Sequence, residues 1–431
     1  MEIKKHRVLV FPAGTEIALE IHNALKNCKD IELIGATSAD DHSEMVFERL
    51  YSNMPYVDDP CLIDALNQVI RDCNADIVYP AHDSVLLKLT AEQHNIDALV
   101  MTSPLNTVDI CRNKKKTYSF LKQFDCDFLP EVYEGVAEVK EYPVFAKPAV
   151  GQGSHGVRMI YDDCEFLEVT SQIEDYVVCE NLPGAEFTVD CFTDKNGDLR
   201  YISQRTRERI RNGIAVRSEI VPTENYVWHM AKQLNNYMYF TGAWFFQIKM
   251  DANNKYKLLE IAPRIAGTMG LSRNRGVNLP LLSIYTLLEM DVGIIDNRNE
   301  LLVDRALISR FRSNIDYTCV YVDFDDTLLL KGKVNPFLIA FLYQARDKGK
   351  RLYLLTRHHG DIFEDLKKNA ISLLLFNAII SLNEDEEKSD YIMGDAIFID
   401  DSYVQRKKVH EECGVPVFDL DMVESLFDWS A

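Results

Sequence analysis

Two aspartates two residues apart, Asp323 and Asp325, follow the apolar run Cys319 to Val322 and precede Thr327. In an extended chain, residues i and i+2 point to one face, so the two carboxylates are expected to project together from the C-terminal end of a strand. That end is where α/β sheets place their ligands. Paired carboxylates can hold a cation, or divide labour, one attacking phosphorus and the other moving a proton.

A second constellation lies upstream. The run Pro143 to Pro148 reads as a strand ending in Lys147, followed at once by Gly151, Gly153, Ser154 and Gly156. Three glycines in six residues allow close approach to an anion, and successive N–H groups can form a nest for phosphate oxygens; a ligand-free glycine hairpin is the other reading. Lys114 precedes this loop by one helix. Beyond it come Val177 to Glu186, an apolar strand, an acid, a turn and a second acid. Two further strands hold Gln247 and, in Leu258 to Arg264, Glu260 and Arg264. Arg205, Arg207, Arg209 and Arg211 recur with period two and are expected on one strand face, where they would favour an anionic substrate. Arg273 and Arg275 repeat that spacing.

The elements that must position these groups follow from the pattern of short β-branched runs and helical segments. Over the first hundred residues Arg7 to Phe11, Glu16 to Leu25, Ile31 to Ala36 and Asp76 to Pro80 alternate as in an open parallel sheet with covering helices. The turn Pro12 to Thr15 lacks a full G-x-G-x-x-G and reads better as a strand-to-helix turn than as a dinucleotide site. From about residue 106 the texture changes to a long helix from Lys114 and strands with glycine-rich turns. Residues 291–315 read as a connector, and the alternation resumes from about Asp316. A chain of 431 residues exceeds one ordinary core, and three domains are expected, 1–105, 106–300 and 316–431.

Taken in order, Lys114, Lys147, the loop Gly151 to Gly156, Glu180 to Glu186, Gln247 and Glu260 to Arg264 resemble the ATP-grasp superfamily, in its carbamoyl-phosphate-synthase large-subunit-like branch, over roughly Met1 to Met290. The resemblance implies that Lys114 and Lys147 bind phosphates and that Gly151, Gly153, Ser154 and Gly156 cover them. It implies that the strand ending at Glu180 meets adenine through a hinge reaching Leu182, and that Glu180 and Glu186 reach the ribose hydroxyls. Gln247 and Glu260 take the magnesium positions, and Arg264 holds the phosphoryl group in flight. Where the family often has Glu-x-Asn-Pro-Arg, Ala262 replaces the Asn, which leaves Glu260 as the one carboxylate of the set and puts a second metal in doubt.

The residues from Val322 to Leu328 resemble the first signature of the haloacid dehalogenase (HAD) superfamily, and three more pieces follow in order: a strand ending at Thr356, Lys388 at a turn into a helix, and a strand ending in Asp400 and Asp401. This resemblance implies Asp323 as nucleophile, Asp325 as general acid and base, and Thr356 and Lys388 as phosphoryl clamps. Asp400, Asp401, Asp323 and the Asp325 backbone carbonyl would hold Mg²⁺. The short spacings leave no room for a large cap. His358 and His359 are potential metal ligands, although exposed loop histidines are the commoner case.

The expected fold class is therefore α/β: a pre-ATP-grasp open parallel sheet, an ATP-grasp α+β module and a HAD-like Rossmannoid domain without a large cap. The expected function is an ATP-dependent carboxylate–amine ligase fused to a Mg²⁺-dependent phosphatase, with ATP and Mg²⁺ (or Mn²⁺) as cofactors. A small carboxylate, an amine and a phosphorylated metabolite are its expected partners. The alternative is an inactive nucleotide-sensing module regulating the phosphatase. A net charge of −20 argues against nucleic acid and anionic membranes. Ten cysteines without a C-x-x-C pair, and no stretch of the ~18 apolar residues a span needs, point to the cytoplasm. Oligomeric state is left open.

Overall fold

A computed structural model describes residues 5–151, 156–172 and 175–430. The chain divides into two compact units, Met1–Leu307 and Ile308–Ala431.

Unit 1 opens with a parallel five-stranded sheet in the order β3-β2-β1-β4-β5, from β1 (His6–Phe11), β2 (Ile31–Ala36), β3 (Leu50–Tyr51), β4 (Ile77–Pro80) and β5 (Leu99–Val100). Val8, Leu9, Val10 and Phe11 are all buried, as a strand covered on both faces requires. The covering helix Leu62–Cys73 buries Leu62, Leu66, Val69, Ile70 and Cys73, one face of a 3.6-residue period, and stops at Asn74 in the left-handed conformation (φ 51°). The turn after β1 is a strand-to-helix turn: Thr15 Oγ1 accepts from Ala18 N at 3.0 Å and caps helix Glu16–Leu25.

Next come a four-stranded sheet, β6-β9-β7-β8, built from β6 (Val132–Tyr133), β7 (Val144–Pro148), β8 (Arg158–Ile160) and β9 (Tyr176–Glu180), and a seven-stranded antiparallel sheet. The latter runs β12-β13-β11-β10-β14-β15 with β16 on the far side of β13. Its strands are β10 (Glu186–Thr193), β11 (Leu199–Thr206), β12 (Arg209–Arg211), β13 (Ile214–Val221), β14 (Gly242–Met250), β15 (Tyr256–Ala262) and β16 (Leu302–Asp304). On β14, Trp244, Phe246 and Ile248 share a buried cluster with Val227, Met230 and Leu234 of helix Asn225–Tyr237. Strand alternation then turns Ala243, Phe245 and Gln247 to the opposite face, where Ala243 and Phe245 pack against the first sheet's layer. The same parity sends Thr188 and Asp190 of β10 away from Val189 and Cys191.

Unit 2 is a parallel sheet β21-β20-β17-β22-β23, formed by β17 (Cys319–Val322), β20 (Arg351–Thr356), β21 (Ala378–Ser381), β22 (Ala396–Ile399) and β23 (Val417–Phe418). Between β17 and the next helix, Pro336–Asp347, stands one short hairpin of β18 (Leu329–Leu330) and β19 (Lys333–Val334). That helix begins where its sequence says it should, with Asn335 Oδ1 accepting from Leu338 N and proline in the first turn. All ten cysteines are free thiols, and no helix among the described residues is long and apolar enough to cross a membrane.

Candidate functional site

In unit 1, a cavity of about 260 Å³ lies between the four-stranded and seven-stranded sheets. Phe145, Val157 and Met159 give its lining an apolar part, Cys179, Glu180, Asn181 and Leu182 a contiguous segment, and Lys114, Lys147, Gln247 and Glu260 its charged and polar part. Lys147, the penultimate residue of β7, is 5% exposed; its Nζ donates to the Tyr118 hydroxyl at 2.6 Å and to Leu259 O at 3.2 Å. Lys114 opens a helix capped by Asn113, whose Oδ1 accepts from Lys116 N. Burial lowers the Lys114 ammonium's pKa, against the nearby Glu260 carboxylate at 3.9 Å, and Lys147 lowers it further. Gln247 and Glu260 are register partners on β14 and β15, so their side chains leave the sheet side by side.

A second cavity, about 390 Å³, shares Lys114, Gly151, Arg207, Gly213, Gln247 and Glu260 with the first and runs on to Thr15, His82, Asp83 and Arg264.

Residues 172–305 match the family model described as ATP-grasp in the biosynthetic pathway with Ter operon. Solved structures agree. The biotin carboxylase domain of Hydrogenobacter thermophilus 2-oxoglutarate carboxylase, in complex with MgADP and bicarbonate, superposes at TM-score 0.55 with 15% identity, covering 67% of this chain and 71% of that one. N5-carboxyaminoimidazole synthetase from Staphylococcus aureus follows at 0.54 and 14%, covering 68% and 79%. L-amino acid ligase from Bacillus licheniformis gives 0.52 and 19%, covering 67% and 75%. The fold of unit 1 is ATP-grasp-like. No curated protein sequence matches the chain.

Within the ATP-grasp cavity, Lys114, Lys147, Gly151, Glu180, Leu182, Glu186, Gln247 and Glu260 all reach the lining. Gly156 belongs to the turn after the loop, with φ 76°, and its carbonyl accepts from the Tyr176 hydroxyl at 2.5 Å. Gly153 and Ser154 lie outside the described residues. Both expected ribose acids already have protein partners: Glu180 Oε1 accepts from Glu131 N at 2.9 Å, and Glu186 is ion-paired with Arg207 at 2.6 Å. Arg264 lines the second cavity, but Asp83 holds it in a bidentate pair and Ile265 O takes a third donor.

The expected arginine row needs correction. The strand breaks after Thr206, so Arg205 and Arg207 alone of the four reach the second cavity; Arg209 pairs with Asp304, and Arg211 is exposed on β12. Arg273 and Arg275 are tied to Glu20 and Asp296 and line neither cavity. Thr188, Asp83, Arg112 and Arg305 do line the second cavity, although sequence reasoning passed over them. Thr188 carried a signal, since it has the parity of Glu186 on the same strand. The others had none, because their approach depends on packing between distant segments.

In unit 2, Asp323, Thr356, Lys388 and Asp400 meet at the C-terminal edge of the parallel sheet. Lys388 Nζ lies 2.8 Å from Asp323 Oδ1 and 2.6 Å from Asp400 Oδ2, with all three residues buried. The first contact is close but poorly aligned: Asp323 Oδ1 and Thr356 Oγ1 are buried without a hydrogen bond of regular geometry. Burial pushes the Asp400 carboxyl up to about 6, against the pull of Lys388 and helped by Asp323; burial likewise raises Asp323. Asp323, Asp400 and Asp401 each offer an oxygen within 4.8 Å of the others. Three crowded carboxylates facing one ammonium suit a divalent cation.

The expectation that Asp323 and Asp325 share a face is corrected. The strand ends at Val322, so its alternation does not extend through the turn. Asp325 is 54% exposed and stands outside the carboxylate cluster, its carboxylate accepting from His358 Nδ1 at 2.9 Å. His358 is not an exposed loop histidine: its side chain is 11% exposed, and its Nε2 meets Asp365 at 2.8 Å. Although burial opposes its charge, these two carboxylates raise its pKa. Arg406, also missed, holds the acid turn by donating to the Asp400 and Asp401 carbonyls at 2.6 and 2.7 Å.

Proposed function

We propose that unit 1 is an ATP-dependent ligase that activates a small carboxylate as an acyl phosphate and passes it to an amine. The reading rests on one observation: the cavity walled by Phe145, Val157 and Met159 shares Lys114, Gln247 and Glu260 with a second chamber. A nucleotide sensor needs only the first. In this reading adenine lies against Phe145 and Met159, at the hinge of Glu180 and Leu182, with Glu180 and Glu186 at the ribose. Lys114, Lys147 and the Gly151 to Gly156 loop hold the phosphates. Gln247 and Glu260 would hold Mg²⁺ or Mn²⁺, which neutralises phosphate charge. A substrate carboxylate oxygen attacks the γ-phosphorus, the bond to the β-phosphate oxygen breaks, and ADP leaves with the electron pair. The amine nitrogen then attacks the acyl carbon; inorganic phosphate leaves and the amine's proton passes to solvent. Arg264, fixed by Asp83, presents its charge to the chamber as a preorganised element.

For unit 2 we propose a HAD-like phosphatase. Asp323 attacks phosphorus while Asp325 protonates the leaving alkoxide; Asp325 then takes a proton from the water that cleaves the aspartyl phosphate and frees inorganic phosphate. Thr356 and Lys388 clamp the phosphoryl oxygens. Asp323, the Asp325 carbonyl, Asp400 and Asp401 would hold Mg²⁺, which offsets the charge of the incoming phosphate. The buried Lys388 between Asp323 and Asp400 supports this assignment, and the short hairpin after β17 leaves the sheet edge open to a sizeable phosphorylated metabolite.

Separate sites predict separable losses. Lys147→Ala should abolish ADP release that depends on a carboxylate and an amine, leaving p-nitrophenyl phosphate hydrolysis intact, and Asp323→Asn should do the reverse. Loss of the same partial activity in both variants would overturn the assignment, and ATP binding without turnover across acid and amine panels would favour the sensor.

A further inference from the structure

Strand β15 carries one residue too many for its neighbour. Gln247 of β14 pairs with Glu260 and Ile248 with Leu258, so Leu259 is a bulge without a register partner on β14. A bulge disrupts the ladder locally and releases its backbone groups to other partners. The Leu259 carbonyl takes two: the Tyr118 hydroxyl donates to it at 2.9 Å and the Lys147 ammonium at 3.2 Å, one for each lone pair. Lys147 Nζ also donates to the Tyr118 oxygen at 2.6 Å, which closes a triangle of hydrogen bonds among Lys147, Tyr118 and Leu259.

Spacing along the chain brings Tyr118 to this corner. It follows Lys114 by four residues on helix Lys114–Lys122, so the two side chains share a face. Lys114 Nζ stands 3.9 Å from the Glu260 carboxylate, and Tyr118 meets Leu259, the residue before Glu260. The tyrosine is 5% exposed, shares an apolar cluster with Ala149 and Val177, and has the Lys147 ammonium 5.1 Å from its ring centroid. Burial raises the pKa of its hydroxyl, which stays a neutral O–H that can donate and accept at once.

An ammonium has three donors. Among the described residues, Lys147 spends two of them on Tyr118 and Leu259, and its side chain lines the first cavity, so one N–H is left for a ligand. A lysine that must be ordered on binding gives up rotamer entropy, whereas one held beforehand does not.

We propose that Tyr118 is a positioning residue for the nucleotide's phosphates: with the bulged Leu259 carbonyl it fixes Lys147, whose third N–H meets a phosphate oxygen, a role that rests on the ATP-binding reading of the first cavity. Because the bulge immediately precedes Glu260, the phosphate lysine and the cation-binding carboxylate take their places from one backbone irregularity.

The test measures the affinity of the full chain for MgADP and for adenosine, which has no phosphate, by isothermal titration calorimetry. Tyr118→Phe keeps the ring in its apolar cluster and leaves Lys147 bonded to Leu259, so only the hydroxyl is lost. It should weaken MgADP binding about fivefold, the loss of one hydrogen bond to a charged group, and leave adenosine binding unchanged. Lys147→Met should weaken MgADP binding at least as much, and Tyr118→Phe added to it should have no further effect. Parental MgADP affinity in Tyr118→Phe, an equal loss for adenosine, or additive losses in the double variant overturns the proposal. If Lys147→Met itself binds MgADP as the parent does, the phosphate reading of Lys147 fails and the proposal with it. If Lys147→Met weakens MgADP binding and Tyr118→Phe does not, the positioning role alone fails.

Discussion

Arg264 and Asp83, 181 residues apart, form a bidentate ion pair: Nε to Oδ1 at 2.6 Å and Nη2 to Oδ2 at 2.7 Å. It joins the first turn of helix Asp83–Ala91, beside the opening sheet, to the residues that follow β15. Burial would raise the Asp83 carboxyl, but the Arg264 charge and hydrogen bonds outweigh it and hold its pKa below the usual value. With both side chains about one-seventh exposed, Asp83→Ala should cost about 3–5 kcal/mol by stranding a buried guanidinium. Denaturant unfolding of the full chain at pH 7 measures it; a loss under about 1 kcal/mol would mean that solvent already screens the pair.

Lys388 is the cation paired with the carboxylates of both Asp323 and Asp400. Lys388→Met should therefore destabilise unit 2 by about 3–5 kcal/mol. Millimolar Mg²⁺ should restore part of that loss by binding the folded state alone. Chemical denaturation with and without Mg²⁺ checks both, and a variant indifferent to Mg²⁺ would argue against a cation among Asp323, Asp400 and Asp401.

Gly184 sits in the turn between the hinge and Glu186, its amide donating to Met250 O at 3.0 Å. An added Cβ would lie 2.6 Å from Met250 Cβ and 2.9 Å from Met250 O. Gly184→Ala must therefore move the turn, at a cost of about 1–3 kcal/mol, and should raise the KM for ATP several-fold with little change in phosphatase activity. An unchanged KM would place the nucleotide away from this hinge.

The Asp428 carboxylate is bonded to Lys348 and Ser430, which, against the effect of burial, lower its pKa to about 2. A depressed folded-state pKa means stability that is present above the unfolded value near 3.9 and lost as pH falls towards about 2. Asp428 is about one-third and Lys348 nearly half exposed, which reduces the pair's worth to about 1 kcal/mol. Asp428→Asn should lose that amount at pH 6 and only a small part of it at pH 2, as read by urea midpoints at the two pH values.

Local chemistry was legible in the sequence because it depends on neighbours in the chain. Thr15, Asn113 and Asn335 cap helices that start where the residue types dictate, and Lys147 lies one residue from the end of its strand. The resemblance to ATP-grasp implied that Gln247 and Glu260 act together, and the register of β14 on β15 sets them side by side. The alternation rule failed wherever the strand stopped early. Asp325 left the face of Asp323 because β17 ends at Val322, and Arg209 left that of Arg205 because β11 ends at Thr206. Which charges are free was a tertiary matter throughout. Arg264, Arg207, Arg273 and Arg275 each found a carboxylate at least 21 residues away, while the Thr188 hydroxyl and Arg205 Nη1 are buried without a hydrogen-bond partner among the described residues. Sequence spacing determined which residue types this protein carries and in what order; only the packing of distant strands decided which of their hydrogen-bonding groups remain unmet, because burial and pairing are properties of space and not of the chain.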